Sequence, residues 1–315
     1  MMNKNGIKIV YMGTPEFAVP PLKSLCESGY QVELVVTQPD KARDRGKKVQ
    51  FPPVKETALQ YGVEVLQPEK IKGNEEFFNR IREIKPDLII VAAYGKLLPL
   101  ELLEIPELGC INIHASLLPK YRGAAPIHRC IIEGEKTTGI TLMYMEEGLD
   151  TGDMIASRFV DVEDKNTAQL HEELSVMGAE LLMDTLPNIM NGTAGRTKQD
   201  DSMASYAPMV FKQDGLIDFG KSPEEIERLI RGLNSWPVAH TLYLGETMKI
   251  WEAKALDEKS AEPCGTIRAV SNEGIKVSAG GRSLMITKLQ MPGKRAMQVS
   301  EYLKGNKIEI GEVLG

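Results

Sequence analysis

Apolar residues open this chain as short, dense runs set between amphipathic stretches. Residues 7–12 (Ile-Lys-Ile-Val-Tyr-Met) form a β-rich run that stops at Gly13, and residues 14–28 follow as a turn and a helix closed by Gly29. A second apolar run covers 32–37. Strand, turn, helix and strand in that order begin a parallel α/β sheet. Residues 53–61 then read as a helix, 63–66 as a short strand and 74–84 as an amphipathic helix. Residues 87–94 (Asp-Leu-Ile-Ile-Val-Ala-Ala-Tyr) are almost continuously apolar, as a central parallel strand must be when helices cover both faces. In residues 110–114 apolar Ile111 and Ile113 alternate with polar Asn112 and His114, the period of a strand with one face buried and one open. Pro126 opens the next helix, residues 138–145 alternate as a strand, and a turn over 146–153 returns the chain into Met154 and Ile155. A long helical period covers 167–190, with Thr167 placed to cap it.

Beyond Gly192 the pattern dissolves into a polar stretch, 193–202, which reads as a linker. The boundary falls near 205 and predicts two domains, 1–205 and 206–315. Ser222, with Pro223 at the first helical position and Glu225 three residues on, is the signature of a capped helix that runs to Leu233. Short β-like runs then recur at 241–244, 249–255, 265–269, 274–278, 283–290 and 307–310. Their spacing suggests a small barrel.

Composition sharpens this picture in three places. No run of eighteen apolar residues occurs, which argues against a membrane span, and the first residues lack the apolar core of a signal peptide, so a cytoplasmic protein is expected. The four cysteines (Cys26, Cys110, Cys130, Cys264) and four histidines are scattered without paired spacing, so neither a disulfide framework nor a metal site is expected. The net charge of −6 hides an asymmetry, because residues 1–206 hold 23 basic and 30 acidic side chains and residues 207–315 hold 15 and 14. Two basic stretches stand out: five cations within residues 41–48, and Lys276, Arg282, Lys288, Lys294 and Arg295 with no acid between Glu273 and Glu301. Either is a solvated face by default; a flexible basic loop can also gather phosphates.

The candidate chemistry lies between Cys110 and Asp153. Asn112 and His114, as i and i+2 on a strand, project on one side about 7 Å apart. A donor amide and a titratable imidazole placed so can reach one reacting carbonyl. Behind them lies a loop rich in Pro, Gly and Arg, and downstream a Gly-flanked acidic turn, Gly148-Leu149-Asp150-Thr151-Gly152-Asp153. At the first turn of the sheet, Gly13 stands alone where a dinucleotide fingerprint needs G-x-G-x-x-G, so nucleotide binding there is disfavoured. In open α/β sheets ligands sit beyond the carboxyl ends of the strands, so residues 94–98, 112–114 and 116–119 are expected to converge on one crevice.

Asn112-x-His114, followed by Ser116-Leu117-Leu118-Pro119 and later by Asp150, resembles the signature of the folate-dependent formyltransferases, in particular those that act on methionyl-tRNA, and the resemblance extends along the whole chain. It implies a Rossmann-like parallel-sheet catalytic domain followed by an OB-like β-barrel domain. It implies 10-formyltetrahydrofolate as co-substrate and initiator methionyl-tRNA as partner; a monomer without a metal is expected. Asn112, His114 and Asp150 would be catalytic, whereas Asp153 reads as an ordinary turn residue. Ser116, Leu117, Leu118, Pro119, Tyr94 and Leu97 would hold the folate. Arg43, Arg45, Lys47 and Lys48 would lie in a loop that enters the tRNA acceptor stem, with Lys288, Lys294 and Arg295 contacting tRNA from the C-terminal domain. The family commonly has Ala-Gly where this chain has Arg43-Asp44, a departure that adds charge of both signs to the loop. In formyl transfer Asn112 would donate to the developing oxyanion, His114 would shuttle a proton or assist that donation, and Asp150 would favour the charged imidazole. Two other readings remain open at this stage: a formyltransferase of the same family acting on glycinamide ribonucleotide or an amino sugar, and a non-catalytic RNA-binding protein.

Overall fold

The computed structural model describes residues 6–43 and 48–315 and resolves into two compact units, one of Met1–Pro126, Thr138–Val160 and His171–Ala207, the other of Ile127–Thr137, Asp161–Leu170 and Pro208–Gly315.

The first unit is built on a seven-stranded sheet of β1 (Lys8–Gly13), β2 (Gln31–Val36), β3 (Glu64–Leu66), β4 (Leu88–Ala92), β5 (Cys110–His114), β6 (Thr137–Tyr144) and β7 (Met154–Asp161). Their spatial order is β7-β6-β5-β4-β1-β2-β3. The five strands from β3 to β5 are parallel, and β6 joins β5 antiparallel, pairing His114 with Thr141. The order 3-2-1-4-5 reverses direction between β1 and β4, which makes this the doubly wound, Rossmann-like arrangement whose ligands bind at that switch. Every residue of β4 is buried, as its unbroken apolar sequence requires. The helix α1 (Val19–Glu27) starts later than its sequence pattern suggests, because Glu16–Ala18 forms a separate tight turn and Pro20 and Pro21 fit only the first helical positions. On one face of the sheet, α2 (Glu75–Ile84) presents Phe77, Phe78, Ile81 and Ile84 to Val10, Met12, Ile89 and Val91. Its start is capped by the Asn74 side chain, which accepts from the Phe77 N–H at 3.0 Å. A 24-residue helix, α3 (Thr167–Met190), covers the predicted span and brings Gly178 against Ile113 of β5, but its cap is Asn166, which accepts from the Gln169 N–H at 3.0 Å, and not Thr167, whose hydroxyl donates to the Gly232 carbonyl.

In the second unit β8 (His240–Tyr243), β9 (Glu246–Leu256), β10 (Ile267–Ser271), β11 (Gly274–Ala279) and β12 (Arg282–Gln290) form an antiparallel sheet ordered β8-β9-β12-β11-β10, with Met297–Gln298 added to β12. Ile226 and Ile230, from the helix Pro223–Gly232, complete its core. Ser222 and Glu225 form the capping box that the sequence predicts. The last expected strand, 307–310, is irregular instead. The chain reaches the edge of β10 only afterwards, where the Ile267 N–H donates to Glu312 and the Gly311 N–H donates to Ile267, both at 2.8 Å. Ile308 is buried alone, without the alternating partners that would hold a strand.

The lone Gly13 has a packing reason. A Cβ there would stand 2.7 Å from the Ala18 Cβ and 2.9 Å from the Ala92 carbonyl oxygen, so the turn after β1 closes against the end of β4 only without a side chain. Gly13→Ala is expected to destabilise the protein by about 1–3 kcal/mol, as overpacking does, seen as a lower denaturation midpoint in urea.

Candidate functional site

Strand β5 delivers Asn112 and His114 to the carboxyl end of the sheet. The face that sequence alone leaves open to solvent is covered: His114 is 5% exposed and Asn112 half-buried. The cover comes from the turn holding Asp150 and from residues 121–123. Asp150 takes a left-handed backbone, φ 53°, which aspartate tolerates better than most residues and which aims its carboxylate back at the strand. That carboxylate accepts from the Gly123 N–H at 2.9 Å and from the Asn112 amide at 3.3 Å, and it faces the Nδ1 of His114 at 3.7 Å. The structure therefore brings all three predicted residues into one cluster.

The imidazole has a defined orientation. Its Nε2 lies 2.9 Å from the Tyr121 carbonyl, which can only accept, so Nε2 carries the hydrogen and the neutral ring keeps its lone pair on Nδ1. At 3.7 Å Nδ1 is beyond direct hydrogen-bond range of Asp150. It is the ring atom open to an incoming proton, and a proton gained there stands opposite a carboxylate. Asn112 spends one amide hydrogen on Asp150 and keeps a second for an external acceptor.

The loop after β5 is braced from β6. The Thr141 hydroxyl donates to the Ser116 carbonyl at 2.7 Å and accepts from the Leu118 N–H at 3.1 Å, and the Ser116 hydroxyl donates to the Lys120 carbonyl at 2.7 Å. Ser116 and Leu118 are buried, whereas Leu117 and Pro119 are partly accessible. Across the switch point, Thr14 and Gln38 both donate to the carbonyl of Tyr94, at 3.2 and 3.0 Å. The Tyr94 ring belongs to the core beside Phe77 and Leu102, where burial pushes its hydroxyl up to about 12, so Tyr94 offers the crevice its backbone. Leu97 stands at the rim, 75% exposed. Exposed apolar surface beside fixed backbone polar groups suits a flat heteroaromatic ring with a donor and acceptor edge. Asp153 pairs with Arg196 at 3.3 Å, as an ordinary turn residue can.

Of the predicted basic residues, Arg45 and Lys47 lie outside the described residues. The backbones of Arg43 and Lys48 are register partners in a short antiparallel ladder, Lys41–Arg43 with Lys48–Gln50. Just before it, Asp40 accepts from Lys55 and from Gln67, each at 2.7 Å; desolvation pushes its carboxyl up, but these two bonds and the charge of the Lys55 ammonium together outweigh it and hold the carboxyl below its usual range. In the second unit the five-cation stretch is largely neutralised by acids from elsewhere. Lys288 pairs with Glu252 at 3.0 Å across the β9–β12 ladder, Lys276 with Glu258 at 2.7 Å, and Arg282 with Glu224. Lys294 and Arg295 project from the exposed turn after β12, where Lys294 also bonds Asn306 at 2.7 Å.

Several contributors carry no signal in the sequence. The Gly123 N–H and Tyr121 carbonyl act through the backbone, in a segment held by Ser205, whose hydroxyl accepts from the Tyr121 N–H and whose carbonyl accepts from Arg122, both at 2.9 Å. Gln199 donates to the backbone carbonyls of Asp150 and Gly152, each at 2.8 Å. Among the described residues no group of three or more His, Cys, Asp or Glu could hold a metal ion, and no helix is long and apolar enough to cross a membrane.

The formyl transferase family model matches residues 7–186, and that of the formyl transferase C-terminal domain matches 209–307. The chain is 52% identical to the methionyl-tRNA formyltransferase of Clostridioides difficile over 98% of its own length and 100% of that protein. It is 49% identical to that of Bacillus subtilis, covering 98% of each. Among solved structures, the sugar 3N-formyl transferase WlaRD, crystallised with dTDP and 5-N-formyl-THF, superposes with a TM-score of 0.68 at 19% identity, covering 92% of this chain and 99% of that one. That likeness speaks for the fold.

Thr141→Val would remove a buried hydroxyl and strand the Leu118 N–H. A loss of about 1–3 kcal/mol is expected, with faster amide hydrogen exchange at Leu118 than in the unaltered protein.

Proposed function

The chain belongs to the formyl transferase family, and we propose that it acts in the cytoplasm, as a monomer, to transfer the formyl group of 10-formyltetrahydrofolate to the α-amine of methionyl initiator tRNA. The observation that carries this is the single cluster formed by Asn112, His114 and Asp150 in a chain about half identical, end to end, to methionyl-tRNA formyltransferases. One chain supplies the whole cluster.

An α-amine has a pKa of roughly 7.7–8.0, so a useful neutral fraction exists near pH 7 and the protein needs no nucleophile of its own. As the amine nitrogen bonds to the formyl carbon, the free amide hydrogen of Asn112 meets the oxygen where charge gathers. The lone pair of His114 Nδ1 takes the amine proton, and the resulting imidazolium is stabilised by Asp150 opposite it. The same proton passes to the folate nitrogen as its bond to the formyl carbon breaks. One C–N bond forms, one breaks, and His114 ends as it began. The backbone at Tyr94, the Leu97 rim and the Ser116–Pro119 loop would hold the folate. The cations at 43–48, and the exposed Lys294 and Arg295 with Lys288, would meet tRNA phosphates. The names of the relatives favour methionyl-tRNA over a ribonucleotide or an amino sugar as acceptor.

The direct test is to incubate the protein with 10-formyltetrahydrofolate and methionyl initiator tRNA and to follow labelled formyl, with uncharged tRNA and glycinamide ribonucleotide alongside. Label on charged tRNA alone is the expected outcome; transfer to the ribonucleotide would refute the acceptor. Asn112→Ala should slow turnover about 10²–10³-fold, the usual loss for one oxyanion donor, and undiminished kcat would remove its role. Arg45→Ala should raise KM for tRNA and leave KM for the formyl donor unchanged.

A further inference from the structure

We infer that Gln199 is a positioning residue for formyl transfer, which it serves by locking the backbone of Asp150 in the conformation that aims its carboxylate at His114; this rests on the reading of Asp150 given above. Asp150 occupies the left-handed region at φ 53°, which aspartate visits less readily than glycine, so contacts from outside the turn help to hold it there. The support is Gln199. Both hydrogens of its amide are committed, one to the Asp150 carbonyl and one to the Gly152 carbonyl, each at 2.8 Å. Two carbonyls two residues apart are thereby held to one rigid group, which fixes the Asp150–Thr151 and Gly152–Asp153 peptide planes.

The amide can point only one way. Arg122 donates its Nε hydrogen to the Gln199 oxygen at 3.0 Å, which leaves the NH2 side for the turn. Arg122 is itself anchored by an ion pair with Asp201 at 2.7 Å, with 12% of its side chain exposed. The next residue, Gly123, gives its backbone N–H to the Asp150 carboxylate at 2.9 Å. Arg122 and Gly123 therefore hold Asp150 at both ends, the carboxylate directly and the carbonyl through Gln199. Gly123 has φ 117°, and a Cβ there would lie 2.7 Å from the Tyr206 ring, so the clamp has no slack on that side. Asn112, by contrast, reaches Asp150 at the longer distance of 3.3 Å and cannot set the turn alone. No substrate contact is assigned to Gln199.

Gln199→Met fills nearly the same volume and has no donor. It is expected to lower kcat about 10–10²-fold, the scale of an ångström-sized misplacement, with KM for both substrates within about twofold of normal. The effect must run through Asp150. Asp150→Asn alone should cost about 10²–10⁴-fold, and adding Gln199→Met to it should cost less than about threefold more in single-turnover assays. Arg122→Lys keeps the charge without the Nε donor and should lower kcat in the same direction by less, which keeps the test open even if Gln199→Met fails to fold. Full turnover in Gln199→Met or in Arg122→Lys, a rise in KM alone, or an equal loss in both backgrounds would overturn the assignment. A slow Asp150→Asn enzyme beside a fast Gln199→Met enzyme refutes this inference only. A fast Asp150→Asn enzyme would refute the reading of Asp150 itself.

Discussion

A carboxylate withdrawn from water needs donors in place of its hydration, and at Asp150 the shortest of these is the hydrogen bond from the Gly123 N–H, with a longer one from the Asn112 amide. Much of the first unit serves that contact. Strand β5 must end where it does to present His114, β6 must run antiparallel to place Thr141 under the loop, and residues 121–123 must fold back over the strand end. The Tyr121 carbonyl then sets which imidazole nitrogen is free, and the carboxylate waits opposite it. A proton arriving at Nδ1 turns the compensated charge into a pair. The site is built around a charge that appears during the reaction, which is where fixed dipoles act most strongly.

Much of the first unit was legible in the sequence because its strands are covered on both faces and must be apolar throughout; residues 88–92 are the clearest case. Asn112 and His114 were legible from their two-residue period, and Asp150 from the family pattern. The solvent-open face expected of β5 was not, because the segments that cover it are distant in the chain. The same holds for Gln199, an ordinary glutamine in a polar stretch whose partners are two backbone carbonyls. Backbone donors leave no trace in residue identity.

Charge was the least legible property of the second unit. Its basic stretch contains no acid in sequence, yet Glu224, Glu252 and Glu258 come across from other segments to meet three of the five cations. Opposite residues on neighbouring strands are natural partners, and a linear scan cannot see them. Lys307–Ile310 misled in a related way. The β-like run there forms no strand, and the chain bonds to the edge of β10 from Gly311 onward.

The two-residue parallel ladder of Arg122–Gly123 with Tyr206–Ala207, and the bonds from residues 121 and 122 to Ser205, close a loop of some eighty residues. Read along the direction of synthesis, this sets an order of assembly. All seven strands of the sheet leave the ribosome well before the segment that braces the catalytic turn. Only when residues 199–207 fold back do Gln199 and Ser205 engage. A chain ended short of residue 199 would contain all seven strands and the Gly123 and Asn112 bonds to the Asp150 carboxylate, but would lack the Gln199 bonds to the carbonyls of that turn.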